Sequence, residues 1–248
     1  MIINTYNTSL IVDDSLMRVY VATPTSKGSY PGIIFYSDIY QLGGPMLRLA
    51  NYLAGYGYTV VAPEIFHRQL PIGTEIEPTD LGRIQGNEAA RQTSLAEFDA
   101  DTRALIAFLS ETTEVDTNNL GAIGFCIGGH LAFRCSFNPE IKATVCCYPT
   151  GIHSGKLGGD TADTLARISE VKSPVLLIFG TQDPHIPETR REQIIQSLEQ
   201  HKIQHQAVCY QANHTFMRDD GYRYDSVATN LAWGEINQFL SQQMDYQL

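Results

Sequence analysis

Three residues that together could do nucleophilic chemistry stand far apart in this 248-residue chain: Cys126, Asp183 and His214. The segment from Leu120 to His130 reads Leu-Gly-Ala-Ile-Gly-Phe-Cys-Ile-Gly-Gly-His, which places Gly124 two residues before Cys126 and Gly128 two residues after it. A thiol on a sharp strand-to-helix turn is held in a strained backbone conformation, and side chains two residues to either side would collide with the turn. Glycine removes the collision. The turn also puts the sulfur at a helix N-terminus, whose dipole and free N–H groups favour a thiolate and can hold an oxyanion. With a histidine as base and an aspartate to orient it, such a set performs covalent acyl transfer.

Each member also has a plainer role open to it. A buried cysteine after a strand can be an inert packing residue. Asp183, in Gly180-Thr181-Gln182-Asp183-Pro184, could open a turn or cap a helix, and a single loop histidine is usually a surface residue. A dinucleotide fingerprint is a poorer fit, because the glycines around Cys126 lack the G-x-G-x-x-G spacing. What weighs for the catalytic set is joint placement, which depends on the elements that carry it.

Those elements alternate. Ser9–Val12 and Met17–Thr23 read as a hairpin around Asp13 and Asp14. Gly32–Tyr36, Thr59–Ala62, the run up to Phe125, Ala143–Tyr148, Pro174–Phe179 and Gln206–Tyr210 read as strands, several of them apolar throughout, as expected when both faces are covered. Helices are expected from Pro45 to Ala54, Asn87 to Thr112, Leu131 to Ser136, Pro187 to Gln200 and Asp225 to Met244. The stretch from Pro63 to Gly86 reads as one long irregular loop and a candidate pocket wall; Gly151 to Thr161 reads as a second loop. Strand–helix alternation with an initial hairpin predicts one α/β domain over residues 1–248. It is a doubly wound, mostly parallel sheet with an N-terminal antiparallel hairpin and helices on both faces. Ligands of such sheets bind beyond the carboxyl ends of the strands, where Asp38, Cys126, Asp183 and His214 all fall. The order Cys, Asp, His is that of the α/β-hydrolases.

A formal charge of −10 argues against a nucleic-acid surface and against attraction to an anionic membrane. No run approaches the length of a membrane span, and Met1 to Tyr6 shows neither the basic region nor the apolar core of a signal peptide. Five cysteines without framework spacing or a C-x-x-C pair fit a reducing cytoplasm and supply no metal site. No cofactor motif is present.

The chain resembles the dienelactone hydrolases (carboxymethylenebutenolidases), cysteine members of the α/β-hydrolase superfamily. The resemblance rests on Gly124 to Gly129, on Gly180 to Pro184, on His214-Thr215-Phe216-Met217-Arg218, and on Ser37-Asp38-Ile39-Tyr40 with Ala62-Pro63 downstream. It implies Cys126 as nucleophile, with Asp183 and His214 completing the triad. The backbone N–H groups of Ile39 and Ile127 would form the oxyanion hole. Arg218 would hold a substrate carboxylate, with Tyr40 beside it and a second arginine, Arg91 or Arg83, from the region before the long helix. Asp38 stands where the family has a glutamate associated with the resting cysteine, so its contact with the sulfur would lengthen or need a shifted loop. The expected activity is hydrolysis of an activated ester or enol lactone, a small molecule, by a monomer or small homo-oligomer. The alternatives are a broad carboxylesterase or thioesterase, and a non-catalytic binding protein on the same fold.

Overall fold

The computed structural model describes residues 1–244 and Tyr246. Its frame is an eight-stranded sheet. Strands β1 (Ile3–Val12) and β2 (Ser15–Pro24) form the initial hairpin, closed by Asp13 and Asp14, both at positive φ, as a two-residue type I′ turn requires. Strand β3 (Tyr30–Tyr36) is followed by α1 (Gly44–Gly55) and β4 (Thr59–Pro63). Helices α2 (Asp80–Gln92) and α3 (Leu95–Glu111) precede β5 (Val115–Phe125), α4 (Ile127–Cys135) and β6 (Ile141–Cys147). A small pair, β7 (Lys156–Leu157) with β8 (Asp160–Thr161), leads to β9 (Val175–Gly180), α5 (Glu188–Gln200), β10 (His205–Tyr210) and α6 (Ser226–Gln243).

The spatial order is β1-β2-β4-β3-β5-β6-β9-β10. From β4 to β10 every pairing is parallel, and the hairpin joins β4 through an antiparallel pairing with β2. Burial explains the composition of the strands. Every residue of β3, β4 and β9 is buried, and these are the apolar runs, whereas the edge strand β10 is partly exposed and more polar. The parallel arrangement aligns the C-terminal ends of β3, β5, β6, β9 and β10 along one rim, where Asp38, Cys126, Asp183 and His214 lie.

Three expectations need correction. The loop after β4 ends at Thr79, whose hydroxyl caps α2 by accepting from the Gly82 N–H at 3.1 Å. Residues 80–86 of the expected pocket-wall loop are therefore helix. The single helix expected over 87–112 is two, because Ser94 begins a new one with a capping box: its hydroxyl accepts from the Glu97 N–H while the Glu97 carboxylate accepts from the Ser94 N–H. Such reciprocal bonds satisfy two orphan donors and favour a fresh start over continuation. Finally, α4 begins at Ile127 rather than Leu131, since Gly128 and Gly129 form its first turn instead of delaying it.

Candidate active site

Cys126 joins β5 to α4 at φ 59°, ψ −119°, a conformation that non-glycine residues seldom adopt and that functional turns often retain. The two flanking glycines are sterically required. A Cβ on Gly124 would overlap the Gly128 carbonyl oxygen, and one on Gly128 would overlap the carbonyl oxygens of Ser37 and Tyr36. The turn is also clasped from the neighbouring strand: the Cys126 N–H donates to the Cys147 carbonyl at 3.1 Å, and the Cys126 carbonyl accepts from the Thr150 N–H at 3.1 Å.

His214 and Asp183 arrive from the loops after β10 and β9. The Cys126 Sγ lies 3.2 Å from His214 Nε2, and His214 Nδ1 lies 2.6 Å from Asp183 Oδ2. Asp183 Oδ1 accepts from the backbone N–H of His185 at 2.7 Å, so each carboxylate oxygen has its own donor. Close approach of the two loops is built into the backbone, since a Cβ on Gly180 would overlap the Ala212 carbonyl. All three side chains are buried. Burial by itself pushes the His214 imidazole down, but the Cys126 sulfur and the Asp183 carboxylate beside it outweigh burial and raise its pKa to about 10. The partners on either side of the ring thus favour its imidazolium form.

A second group lies beside this row. Asp38 is buried at the end of β3 and accepts from the Tyr40 N–H at 2.9 Å through Oδ1 and from Arg218 Nη1 at 2.9 Å through Oδ2. Burial raises its pKa, while Arg218 holds it back. Arg218 also donates to Asp220 at 3.2 Å and lies over the Tyr40 ring, 4.9 Å from its centroid. Of the site residues expected from sequence, Asp38, Tyr40 and Arg218 thus form one cluster, and Cys126, Asp183 and His214 another. The backbone N–H groups of Ile39 and Ile127 donate to no acceptor among the described residues. Their loops run side by side, because Gly128 packs directly on the Ser37 carbonyl. Arg91 does not join them: its guanidinium is exposed and paired with Glu88 on its own helix. Arg83 is likewise exposed and ion-paired within its own helix, with Asp80.

Sequence reasoning passed over three neighbours. His185 packs edge-on against His214, with ring centroids 4.7 Å apart. Thr150 brings its hydroxyl to 3.9 Å from the sulfur. Tyr148, fully buried at the end of β6, sets its ring edge-on to His214 at 5.3 Å. The signal that could have found Tyr148 and Thr150 is the one that located Cys126, namely position just past the carboxyl end of a central strand.

The profile of the dienelactone hydrolase family matches residues 17–244. The chain belongs to the dienelactone hydrolase family. A Saccharomyces cerevisiae protein named "Putative carboxymethylenebutenolidase" is 35% identical over 244 residues, covering 94% of this chain and 87% of that relative. The carboxymethylenebutenolidase of Pseudomonas putida is 26% identical, covering 89% of each chain. Among solved structures, a Klebsiella pneumoniae chain described as a "Putative Dienelactone Hydrolase" superposes with a TM-score of 0.85 at 24% identity, covering 98% of this chain and 100% of that one. Family membership makes the protein an ester or lactone hydrolase on an α/β-hydrolase fold. No helix among the described residues is long and apolar enough to cross a membrane.

Proposed function

We propose that the protein hydrolyses an activated ester or enol lactone, dienelactone-like and carboxylate-bearing, through Cys126 as nucleophile, His214 as general acid and base, and Asp183 as the residue that orients and charges His214. The observation that carries this reading is the continuous row from Sγ to Nε2 at 3.2 Å and from Nδ1 to Oδ2 at 2.6 Å. In that row the imidazolium faces the sulfur, as a thiolate–imidazolium pair requires. The thiolate attacks the carbonyl carbon, the carbonyl π pair moves onto oxygen, and the oxyanion is received by the N–H groups of Ile39 and Ile127. Each such donor is worth roughly 3–4 kcal/mol in comparable hydrolases. Collapse expels the alkoxide or enolate, protonated by His214, and leaves a thioester. A water deprotonated by His214 then hydrolyses the thioester and regenerates the thiolate.

Cysteine narrows the substrate. A thiolate is itself a good leaving group, so a tetrahedral intermediate that carries a poor alkoxide falls back to substrate. Leaving groups that are stabilised enolates or phenolates go forward. The decisive experiment is Cys126→Ala assayed on enol lactones and aryl esters, with loss of turnover on all of them expected. Unimpaired hydrolysis would remove Cys126 from the mechanism.

One observation favours a broader ester or thioester range. Arg218 is already paired with both Asp38 and Asp220, so its charge is largely compensated before a substrate carboxylate arrives. Comparing an anionic lactone with its neutral methyl ester separates the readings. A strong preference for the anion supports carboxylate recognition, and equal rates support the broad esterase.

A further inference from the structure

Among the described residues, two hydrogen-bonding side chains face the Cys126 sulfur: His214 through Nε2 at 3.2 Å and Thr150 through its hydroxyl at 3.9 Å. The first is the base of the proposed reaction, and the second has no structural duty of its own. Thr150 lies three residues beyond β6, in a segment tied to the nucleophile turn by its backbone. The Cys126 N–H donates to the Cys147 carbonyl at 3.1 Å, and the Thr150 N–H donates to the Cys126 carbonyl at 3.1 Å. Between these two bonds Gly129 packs closely on the Cys147 carbonyl and on Pro149, both 3.0 Å from where its Cβ would stand. The Thr150 side chain is thus anchored beside the sulfur. Any residue other than proline would supply the same backbone bond, so the clasp gives no reason for a hydroxyl at this position. The sulfur is the one hydrogen-bonding partner of that hydroxyl among the described residues. Thr150 is also half-buried rather than sealed in, on the rim where a substrate must approach Cys126. Asp38, at the end of the neighbouring strand β3, is committed to Arg218 and to the Tyr40 N–H instead.

Resting on the acyl-transfer reading above, we infer that Thr150 is a further catalytic residue, whose hydroxyl donates a hydrogen bond to the Cys126 sulfur whenever that atom carries negative charge. The proposed cycle has two such moments. One precedes attack; the other comes when the carbon–sulfur bond breaks during thioester hydrolysis and its electron pair returns to sulfur. The proton stays on the threonine oxygen throughout, so Thr150 forms and breaks no covalent bond. A neutral thiol accepts weakly, whereas hydrogen bonds to an ionised acceptor are shorter and about twice as strong. The resting contact of 3.9 Å is long, as catalytic hydrogen bonds often are before the charged species forms. A hydroxyl suits this place because it is neutral: it supports a thiolate without competing with the imidazolium for Asp183.

The test is Thr150→Val, which keeps the shape and the backbone bond but removes the O–H, with Thr150→Ser as the variant that restores it. The readout is the iodoacetamide alkylation rate of Cys126 against pH, followed by peptide mass, beside thermal unfolding and aryl-ester turnover. A hydrogen bond to an ionised partner is worth about 10- to 100-fold in an equilibrium, and the long contact places Thr150 at the lower end. In Thr150→Val the midpoint of the alkylation profile should therefore rise by about one pH unit. A less stabilised thiolate is also the better nucleophile, with a Brønsted slope of about 0.4–0.5, so the plateau rate should rise about threefold while the rate below the midpoint falls about threefold. A merely structural loosening would not move the two limbs in opposite directions. Below the midpoint kcat/KM on the aryl ester should fall with the alkylation rate, Tm should stay close to the parent's, and Thr150→Ser should restore the parent profile. The proposal is overturned if Thr150→Val leaves the midpoint unmoved, if both limbs fall together, or if Thr150→Ser behaves like Thr150→Val. Cys126→Ala assayed for turnover in parallel separates this proposal from the function it rests on. An inactive Cys126→Ala beside an unmoved Thr150→Val profile rejects Thr150 alone, whereas an active Cys126→Ala rejects the nucleophile itself.

Discussion

Asp183→Asn tests how the row of charges works, and its effect can be sized from the geometry. Asp183 accepts two hydrogen bonds, from His214 Nδ1 at 2.6 Å and from the His185 backbone at 2.7 Å, and both the aspartate and His214 side chains are almost wholly buried. An asparagine has one acceptor oxygen. If that oxygen keeps the backbone N–H of His185, its NH2 group faces Nδ1, which must then be the unprotonated nitrogen. The neutral tautomer left behind carries its proton on Nε2 and cannot take one from the Cys126 thiol. Removing one partner of a buried ion pair typically costs about 3–5 kcal/mol, or roughly 2–4 pKa units at 1.36 kcal/mol each. Cys126 also supports the imidazolium and ranks ahead of Asp183 among the groups that raise its pKa, so the lower end of that range applies. The pKa of His214 should fall by about 2 units from its value of about 10. Because a raised imidazolium is lost as pH climbs through its folded pKa, the alkaline limb of kcat/KM should move down by the same amount. At neutral pH the rate should fall about 10²–10³-fold, less than the roughly 10⁴-fold seen when a serine triad loses its aspartate, because a thiolate depends less on base assistance. The assay is a pH profile of kcat/KM on an aryl ester for parent and variant. A loss under about tenfold with the alkaline limb unmoved would refute the account of Asp183 as the group that charges and orients His214.

Two glycine substitutions test whether the turn is held open by sterics. Gly128→Ala drives a methyl group into the Ser37 and Tyr36 carbonyls and should cost about 1–3 kcal/mol of stability, as overpacking does; a displacement of about 1 Å should also reduce kcat about 10²-fold. Urea unfolding and ester turnover check both effects, and a variant as stable and active as the parent would show that the backbone yields freely. Gly234→Ala is the opposite case: Gly234 lies inside α6, exposed, with nothing within 4 Å of a new Cβ. It should stabilise the fold by about 0.5–1 kcal/mol through helix propensity, read as a higher urea midpoint at unchanged activity.

The sheet and the turn at Cys126 were legible for the same reason: both impose strong, local demands on composition. A strand covered on both faces must be apolar throughout, as β3 and β9 are, and a turn as sharp as that at Cys126 must be flanked by glycine. The break between α2 and α3 was also present in the chain, as Ser94 followed three residues later by Glu97, but the continuous apolar stripe hid it. The choice between Arg83 and Arg91 was not legible. Both lie on α2, eight residues or about 12 Å apart along the axis, and which of them reaches the rim depends on how the helix docks. Gly86, between them on the same helix, packs its backbone against the Ile39 carbonyl, a tertiary contact with no local signature. The pairing of Arg218 with Asp38, and the absence of a partner for the Tyr148 hydroxyl, are likewise properties of the assembled rim alone.

Backbone strain marks the same rim independently of side-chain chemistry. Among the described residues, seven non-glycines have positive φ; two of these form the first hairpin turn and one, Lys202, follows α5. The other four are Gln41, Cys126, Tyr148 and Thr215, which follow β3, β5, β6 and β10 at the same rim. Such conformations cost of order 1–3 kcal/mol each and persist only where the surroundings over-determine them. Here the over-determination is visible: Cys126 is clasped by Cys147 and Thr150, Gln41 closes a turn on the Asp38 carbonyl at 3.1 Å, and Thr215 closes another by accepting from the Arg218 N–H at 2.9 Å. A sheet needs none of these turns to be stable, and four relaxed loops would connect its elements at lower cost. On the proposed mechanism the strain at Cys126 has a use, since it holds the sulfur 3.2 Å from His214 Nε2. On that reading the rigidity of the rim serves its chemistry, and a substitution that relaxes the turn at Cys126 would stabilise the fold while weakening catalysis.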